Sequence, residues 1–283
     1  QLYQSNNCWT SLKRAAGRIA YKDDVITKRL EKGMANLLHH NTASFLHFIE
    51  LFIDGSKQYL DTKNYKYALM LYYALFQDRL DKTGFASIYE ALELIHKEMY
   101  SYFRQEISEI ISYLLAHLQL KTMPLGEDVL PGLELYGCYT REEIFTLAGR
   151  QTEARKMQGS VTGVFNLSEH NATLLFVTLN KSDKDFSPST QYNDYLINEH
   201  YFHWQSQNTD SHQNNGGQRY TKQADTQNKI ILFVREEKKD GYGNTCPFHC
   251  FGLVEYMSSH DDFPMNITWK LQQPAMAQYV KAI

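Results

Sequence analysis

The stretch Thr173-Leu-Leu-Phe-Val-Thr-Leu179 decides how the C-terminal half of this chain folds. It is short and rich in branched and aromatic side chains, which is typical of a β-strand. It also lacks the strict alternation of a strand that has one face in water, so we expect it to be buried on both faces. The run Lys229-Ile-Ile-Leu-Phe-Val-Arg235 predicts a further strand.

Outward from this stretch, more apolar runs predict strands, and polar stretches predict the loops between them. Strands are expected at residues 161–167, 248–256 and 265–271. Turn-rich segments are expected at residues 180–188, 207–218 and 238–244, and long loops at strand ends commonly carry binding residues. This half therefore predicts a small, mostly β domain with a curved sheet or partial barrel.

The N-terminal half has helical periodicity instead. Apolar residues recur at helical spacing, as in the stripe Phe45, Phe48, Ile49 and Phe52, and residues 23–120 predict a bundle of four to six helices. The capping box Thr140-Arg-Glu-Glu143 predicts one more short helix, which ends at Gly149. The expected class is α+β, with a helical domain at residues 1–125 and a β domain at residues 126–283.

Composition excludes several classes of protein. The 283 residues are 43% hydrophobic and 22% charged, which is ordinary for a globular chain and wrong for a disordered one. The formal net charge of -3 argues against a protein that coats nucleic acid by bulk charge, although it allows a local basic surface. No run of 18 apolar residues exists, so no membrane partner is expected.

The cysteines predict the cellular compartment of the chain, and the first residue predicts that the chain has a longer parent protein. Four cysteines are too few to staple a chain of this size, which predicts a reducing, cytoplasmic compartment. The chain begins at Gln1 without a secretory signal, so we expect it to be a piece of a longer protein.

Motifs for nucleotide hydrolysis and for nucleophilic catalysis are missing. The sequence has neither G-x-x-x-x-G-K-[ST] nor G-x-G-x-x-G, and Gly216-Gly217 is expected in a polar loop. Ser206 and the pair Ser211-His212 lack a nucleophile elbow, so hydroxyl nucleophiles are not predicted.

A metal-dependent nuclease remains an alternative. A strand runs into Glu236-Glu-Lys238, and a strand-borne Glu-x-Lys with an upstream acid, here Asp225, can place a carboxylate on Mg²⁺ and a lysine near a phosphate. The competing interpretation is a charged strand end that leads into a turn.

A zinc site is a weaker alternative. Cys246-Pro-Phe-His249-Cys250 offers three soft ligands, and Cys138 or His260 would have to supply the fourth. Strand alternation puts His249 on the face opposite Cys250, so the cysteines are expected to be small buried groups, and no metal is predicted.

Aromatic, amide and acidic side chains are interleaved between Asp185 and Tyr220, in a chain that is 13% aromatic. Planar rings can sandwich a planar ligand, while Asn, Gln and Asp read its donors and acceptors. A nucleobase that has left its stack needs this chemistry. Against this, some of the rings are core residues; Tyr195 and Phe202 are expected there, and Trp204 fits either role.

An ordered series of blocks in this half resembles a bacterial family of helicase-associated domains. The blocks are Gly163-Val-Phe165, Leu174-Leu-Phe-Val-Thr-Leu-Asn180-Lys181-Ser182, Asp185-Phe-Ser-Pro188, Tyr192-x-Asp194-Tyr195, Phe202-His-Trp-Gln-Ser-Gln207, Gly217-Gln-Arg-Tyr220, Leu232-Phe-Val-Arg235 and Pro264-Met-x-Ile-x-Trp-x-Leu271. The series resembles the C-terminal domain of the SauUSI-like ATP-dependent type IV restriction endonucleases, which attack modified DNA. The likeness covers residues 139–271, and more loosely the helical half.

The resemblance implies a larger parent enzyme. Such an enzyme carries a phospholipase-D-type nuclease, a superfamily 2 helicase motor, a helical coupler and a target recognition domain of SET-and-RING-associated (SRA) type, which flips 5-methylcytosine or 5-hydroxymethylcytosine out of the duplex. This chain matches the coupler and the recognition domain only. We therefore expect no catalysis and no cofactor in this chain, while the parent would use ATP and a divalent metal. The expected partners are modified duplex DNA and the helicase and nuclease domains of the parent.

Joined with the residue chemistry, the resemblance implies site residues. The expected pocket for the modified base consists of Phe186, Tyr192, Asn193, Asp194, His203, Trp204, Gln205, Ser206 and Tyr220. Two of its rings would sandwich the base, and Asp194 or Asn193 would accept from the cytosine amine. The expected phosphate contacts are Lys181, Lys184, Arg219, Lys222 and Arg235. Two alternatives stay open: the nuclease above, and a protein-interaction coupler whose rings are only core.

Overall fold

A computed structural model describes residues 2–5, 7–56, 64–126, 128–157, 162–181 and 192–280. The chain divides into two compact units. One unit, here called the helical unit, contains residues 1–122 and 141–159, and the other, the sheet unit, contains residues 123–140 and 160–283.

The helical unit consists of short helices joined by tight turns. Its helices are α1 (Trp9–Ala15), α2 (Val25–Gly33), α3 (Ala43–Ile53), α4 (Tyr65–Phe76), α5 (Leu80–Thr83), α6 (Ile88–Glu93), α7 (Ser101–Ala116) and α8 (Arg141–Leu147). The expected helical N-terminal half is therefore confirmed. Within the described residues, none of these helices combines the length and the apolar character that crossing a bilayer requires.

Helix α3 shows why these helices form. Its stripe of Phe45, Phe48, Ile49 and Phe52 is buried, as the spacing predicts. Asp24 caps helix α2, because its carboxylate accepts from the backbone N–H groups of the first turn. Helix α8 lies where the sequence predicts it, and the left-handed φ of +71° at Gly149 follows its end.

The sheet unit carries the strands and three short helices. The strands are β1 (Met123–Pro124), β2 (Glu134–Leu135), β3 (Cys138–Tyr139), β4 (Val164–Leu167), β5 (Ala172–Asn180), β6 (Tyr195–Asn198), β7 (Tyr201–Gln205), β8 (Lys229–Glu237), β9 (Phe248–His260) and β10 (Asn266–Leu271). The helices are α9 (Asn215–Thr221), α10 (Gln223–Thr226) and α11 (Ala277–Val280).

Most of these strands form one mixed sheet. In the described residues the order is β4-β5-β8-β9-β10-β7-β6, with β3 paired to β9. The pair β5 and β8 is parallel and the others are antiparallel. Among these described strands, the sheet ends at β4 and β6 and does not close into a barrel. Both β5 and β8 are buried almost throughout, which confirms the expectation for Thr173–Leu179.

Strand β7 separates the two faces of the sheet near its β6 edge. Phe202 and Trp204 point into the hydrophobic core, together with Ile267 and Trp269 of β10. Tyr201, His203 and Gln205 point to the other side because side chains alternate along a strand. Tyr220 of α9 meets Trp204 and Trp269 edge to face, so α9 covers the core side of the sheet.

The glycine pair lies in α9 and not in the polar loop that its composition suggested. Asn214 caps this helix by accepting from the backbone N–H of Gly217. A Cβ at Gly217 would lie only 2.0 Å from the carbonyl oxygen of Ser211, so only glycine fits where the helix meets its preceding loop.

Candidate functional site

The side of the sheet that faces away from the core is polar where β6, β7, β10 and β9 run side by side. We call this surface the polar face. Its outward residues are Tyr195, Tyr201, His203, Gln205, Glu255, Ser258, His260, Asn266, Thr268 and Lys270. Each of these side chains is half-buried or exposed, in contrast with the buried side chains that alternate with them on β7 and β10.

The first row of the polar face runs across four strands. Register pairs Tyr195 with His203, His203 with Thr268, and Thr268 with Ser258. The Tyr195 ring is 44% exposed, and its centroid lies 4.7 Å from that of His203. The row thus presents an accessible aromatic ring beside an imidazole.

His203 has a free hydrogen-bonding atom. Its Nδ1 is buried and meets no hydrogen-bond partner among the described residues. Burial lowers the pKa of His203 below its ordinary value of 6.5; Asp194 opposes this shift and His260 reinforces it. The neutral ring at pH 7 offers one donor and one acceptor, as recognition of a base edge requires.

The lowered pKa of His203 predicts that acid destabilises the sheet unit. Between the folded and unfolded pKa values the unfolded chain binds more protons, so stability is lost as pH falls below about 6.5. His203→Gln, which cannot titrate, is expected to lose less stability than the unmodified chain between pH 7.5 and 5.5. Denaturant unfolding followed by tryptophan fluorescence measures this difference, and equal losses in the two proteins would contradict it.

The second row of the polar face is a chain of amides. The backbone N–H of Asn193 donates to Gln205 Oε1 at 2.6 Å, and Gln205 Nε2 donates to Asn266 Oδ1 at 3.0 Å. Asn266 Nδ2 in turn donates to Asp261 at 3.0 Å. These bonds orient the Gln205 and Asn266 amides before any ligand arrives.

A buried ion pair lies at the start of β6. Lys181 Nζ is 2.6 Å from Asp194 Oδ2, and the side chains are 8% and 4% exposed. Lys181 also donates to the carbonyl oxygen of Tyr192 at 2.5 Å, and the Gln205 backbone N–H donates to Asp194 Oδ1 at 2.9 Å. Each charged group is already bonded to the other and to the backbone. Lys181 is therefore not available for a phosphate contact, and Asp194 has little remaining capacity to accept from a base.

Besides Asp194, three of the expected pocket residues lie inside the protein. Trp204 and Tyr220 are 4% and 0% exposed and belong to the core cluster. Ser206 is fully buried, and its hydroxyl accepts from the Met265 backbone at 3.0 Å. Stacking on a base through Trp204 or Tyr220 would require the core to open, so the site's rings must come from elsewhere. Phe202 is buried as expected, whereas the expectation of a core position for Tyr195 is wrong.

The remaining expected residues are dispersed. Arg235 is buried and is held by Thr178, by the carbonyl of Cys246 and by the Phe248 ring. Arg219 and Lys222 belong to α9 and its end, on the core side of the sheet. Tyr192 is half-buried with its ring 6.0 Å from Lys181 Nζ, within cation–π range. Phe186 and Lys184 lie outside the described residues.

A second polar cluster lies on the core side of β9. His212 Nδ1 is 2.9 Å from Asp262, and His212 Nε2 is 2.7 Å from the Ser259 hydroxyl, which also meets Tyr256 at 2.8 Å. Hydrogen bonds from His212 lower the pKa of Asp262 below its ordinary value, and the bond from the His212 backbone N–H has the largest effect. The Ser259 hydroxyl is bonded on two sides, which fits a network that ties the loop before α9 to the sheet.

The alternative nuclease site is not assembled in this arrangement. Asp225 lies in α10, which directly precedes the N-terminal end of β8. The side chain of Asn171, just before β5, donates to the carbonyl oxygen of Thr226 and holds α10 at this end of the sheet. Glu236 lies at the opposite end of β8, about 23 Å away along the strand. These two carboxylates cannot share one metal ion.

The cysteine-rich segment is not arranged as a metal site either. Cys138 and Cys250 are buried and form no disulfide, and His249 Nδ1 lies 2.7 Å from the Tyr279 hydroxyl. Within the described residues, the group of histidine, cysteine and acidic side chains close enough to hold a metal is His39, His40 and Glu143, in the helical unit.

Residues of β10 and β9 were missed as site candidates. Asn266, Thr268 and Lys270 alternate with buried Ile267 and Trp269, and this alternation was readable in the sequence. What the sequence did not show is that β10 pairs with β7, which places these residues beside His203 and Gln205.

One comparison identifies a family. A family model described as a domain of unknown function, DUF3427, matches residues 133–282, which is more than half of the chain and covers the polar face. No curated protein matches the chain. By this match, the chain belongs to the DUF3427 family.

Proposed function

We propose that this chain is a DNA-recognition module that binds duplex DNA containing 5-methylcytosine, with 5-hydroxymethylcytosine as a second ligand, by flipping the modified base onto the polar face. The observation that carries the proposal is the joint presence of an exposed ring, a neutral histidine and oriented amides on one face of the sheet, at Tyr195, His203, Gln205 and Asn266.

The chemistry of these groups matches a cytosine. Its exocyclic amine donates and its ring nitrogen and carbonyl accept, and amides and a neutral imidazole offer both functions. Extrusion of a base costs a few kcal/mol, and stacking on a ring such as Tyr195 or Tyr192 returns about 1–3 kcal/mol. Burial of one methyl group adds only about 0.8 kcal/mol, so discrimination must also use shape or hydration around the methyl group.

The charge of the polar face predicts modest affinity. Its lysine, Lys270, is exposed and lies between Tyr201 and Glu255, while the acidic groups Glu255 and Asp261 are close by. Phosphate contacts dominate the strength and the salt dependence of DNA binding. A face with so few cations is suited to selecting a base, and other domains would supply most of the phosphate contacts that hold the duplex.

The wider proposal follows the resemblance of the sequence. In it, the sheet unit is an SRA-like target recognition domain and the helical unit is the coupler of a cytoplasmic SauUSI-like type IV restriction endonuclease. The parent's helicase and nuclease domains would then be the partners, with ATP and a divalent metal used there. Support comes from the ordered blocks in the sequence and from the match to the DUF3427 family.

Fluorescence anisotropy with matched duplexes tests the proposal. The chain is expected to bind a duplex with one 5-methylcytosine more tightly than the unmodified duplex. Gln205→Ala and Asn266→Ala should reduce that preference, and Lys270→Ala should weaken binding to both duplexes and lower the salt slope by about one. Lys222→Ala, on the other side of the sheet, is the matched control. Equal affinity for modified and unmodified duplexes would refute modified-base recognition.

The alternatives have separate readouts. Mg²⁺-dependent nicking of the duplex that Glu236→Gln abolishes would favour the nuclease. No binding to either duplex would favour a protein-interaction coupler.

A further inference from the structure

Two adjacent histidines and one glutamate come together in the helical unit. His39 and His40 lie in the turn that precedes α3, and Glu143 is the third residue of α8. His39 Nε2 lies 2.9 Å from Glu143 Oε2, and His40 Nε2 lies 3.3 Å from Glu143 Oε1. About a hundred residues of chain separate the histidines from the glutamate, so the fold has brought them together.

The cluster is buried, and its innermost member, His40, is only partly satisfied. The side chains of His40, Glu143 and His39 are 0%, 10% and 16% exposed. His40 Nδ1 meets no hydrogen-bond partner among the described residues, and His40 Nε2 has Glu143 at ion-pair distance but without hydrogen-bond geometry. A buried polar atom without a partner destabilises the fold, so an additional ligand for this imidazole is expected on energetic grounds.

The geometry of the donors fits a metal ion. The ligating atoms of the three residues all lie within 4.8 Å of one another. A four-coordinate ion with bonds of about 2.0–2.1 Å places its ligands about 3.3 Å apart, close to the separations observed here. The two imidazole rings lie side by side, with centroids 4.1 Å apart, and each has one nitrogen near the Glu143 carboxylate.

The donor set selects the kind of ion. Imidazole nitrogens with one carboxylate suit Zn²⁺ and its neighbours among the transition metals, whereas Ca²⁺ and Mg²⁺ prefer sites made of oxygen. Glu143 supplies the negative charge that a buried cation requires.

We propose that His39, His40 and Glu143 form a binding site for a divalent transition-metal ion, with Zn²⁺ as the expected occupant. The ion joins the start of α8 to the turn before α3, two segments that are distant in the chain. Three protein ligands leave a fourth position for water. This site is separate from the polar face and does not depend on the DNA-binding proposal.

Titration of the metal-stripped 283-residue chain with ZnCl₂, by calorimetry, tests the site. One saturating Zn²⁺ per chain and a rise in Tm are expected, and Co²⁺ should give the absorption bands of a four-coordinate site. His39→Ala and Glu143→Gln should each weaken Zn²⁺ binding by at least tenfold. Glu143→Gln keeps the size of the side chain, and circular dichroism verifies that each variant is folded.

The helical unit offers a matched control. His47 and Glu50 form an exposed pair at 3.0 Å in α3, and His47→Ala should leave Zn²⁺ binding and the rise in Tm unchanged. The proposal is overturned if the unmodified chain shows no saturable Zn²⁺ binding. It is equally overturned if His39→Ala and Glu143→Gln both bind Zn²⁺ as the unmodified chain does.

Discussion

Replacement of Trp204 by alanine is expected to remove about 3–5 kcal/mol from the free energy of unfolding of the sheet unit. Trp204 is 4% exposed, and its ring meets Tyr220 edge to face at a centroid distance of 5.1 Å and Trp269 at 6.2 Å. Truncation removes the buried ring and leaves a cavity among rigid aromatic neighbours. Denaturant unfolding followed by circular dichroism measures the loss.

Tyr195→Ala is the matched comparison, because its ring is 44% exposed on the opposite side of the sheet. Its effect on stability is expected to stay within about 1 kcal/mol. If the DNA-binding proposal holds, loss of this stacking ring weakens binding to the modified duplex by about 5- to 150-fold, which corresponds to 1–3 kcal/mol. A Trp204→Ala protein of unchanged stability would show that the ring does not serve the core.

Asp194→Ala is expected to destabilise the sheet unit by about 3–5 kcal/mol at pH 7, because it leaves the ammonium of Lys181 buried without its carboxylate. The pair lies at 2.6 Å with both side chains under a tenth exposed. Asp194 also accepts from the backbone of Gln205, so the variant should loosen the start of β6 and the amide row next to it. The free energy of unfolding from urea titrations measures the effect.

The double variant Lys181→Met/Asp194→Leu separates the two causes of this loss. It removes both charges and retains apolar volume, so it should recover much of the stability lost in Asp194→Ala. Recovery would identify the lone buried charge as the main cost. A loss below about 1 kcal/mol in Asp194→Ala would contradict a buried, mutually dependent pair.

Much of the fold was predictable from local patterns. The buried run at Thr173–Leu179, the helical stripe of α3 and the short helix after Thr140 all lie where the sequence predicts them. These predictions succeed because they depend on periodicity and capping, which neighbouring residues impose on the backbone. The assignment of Gly216-Gly217 to a loop failed because α9 gains its stability from Tyr220 in the core, a contact that local sequence does not contain.

The candidate site was predictable only in part. Tyr195, His203 and Gln205 belong to a stretch whose rings and amides indicated recognition, but the same stretch also supplies the core ring Trp204. Side chains alternate between the two faces of a strand. Once one face of β7 is known to lie on the core, this alternation assigns Trp204 to the core and His203 and Gln205 to the polar face. The expected phosphate contacts show the same limit, because Arg235 is buried within the sheet unit and Lys181 is bound to Asp194.

The sequence by itself determined the α+β class, the helical character of the N-terminal half, five of the ten described strands and the kinds of side chain that can recognise a base, because each of these depends on neighbours along the chain. Only the tertiary structure decided the pairing of β10 with β7, which assembles the polar face, and the meeting of His39 and His40 with Glu143. Both depend on contacts between segments about 60 to 100 residues apart, and such contacts are selected by the joint burial of apolar surface, which no local pattern records.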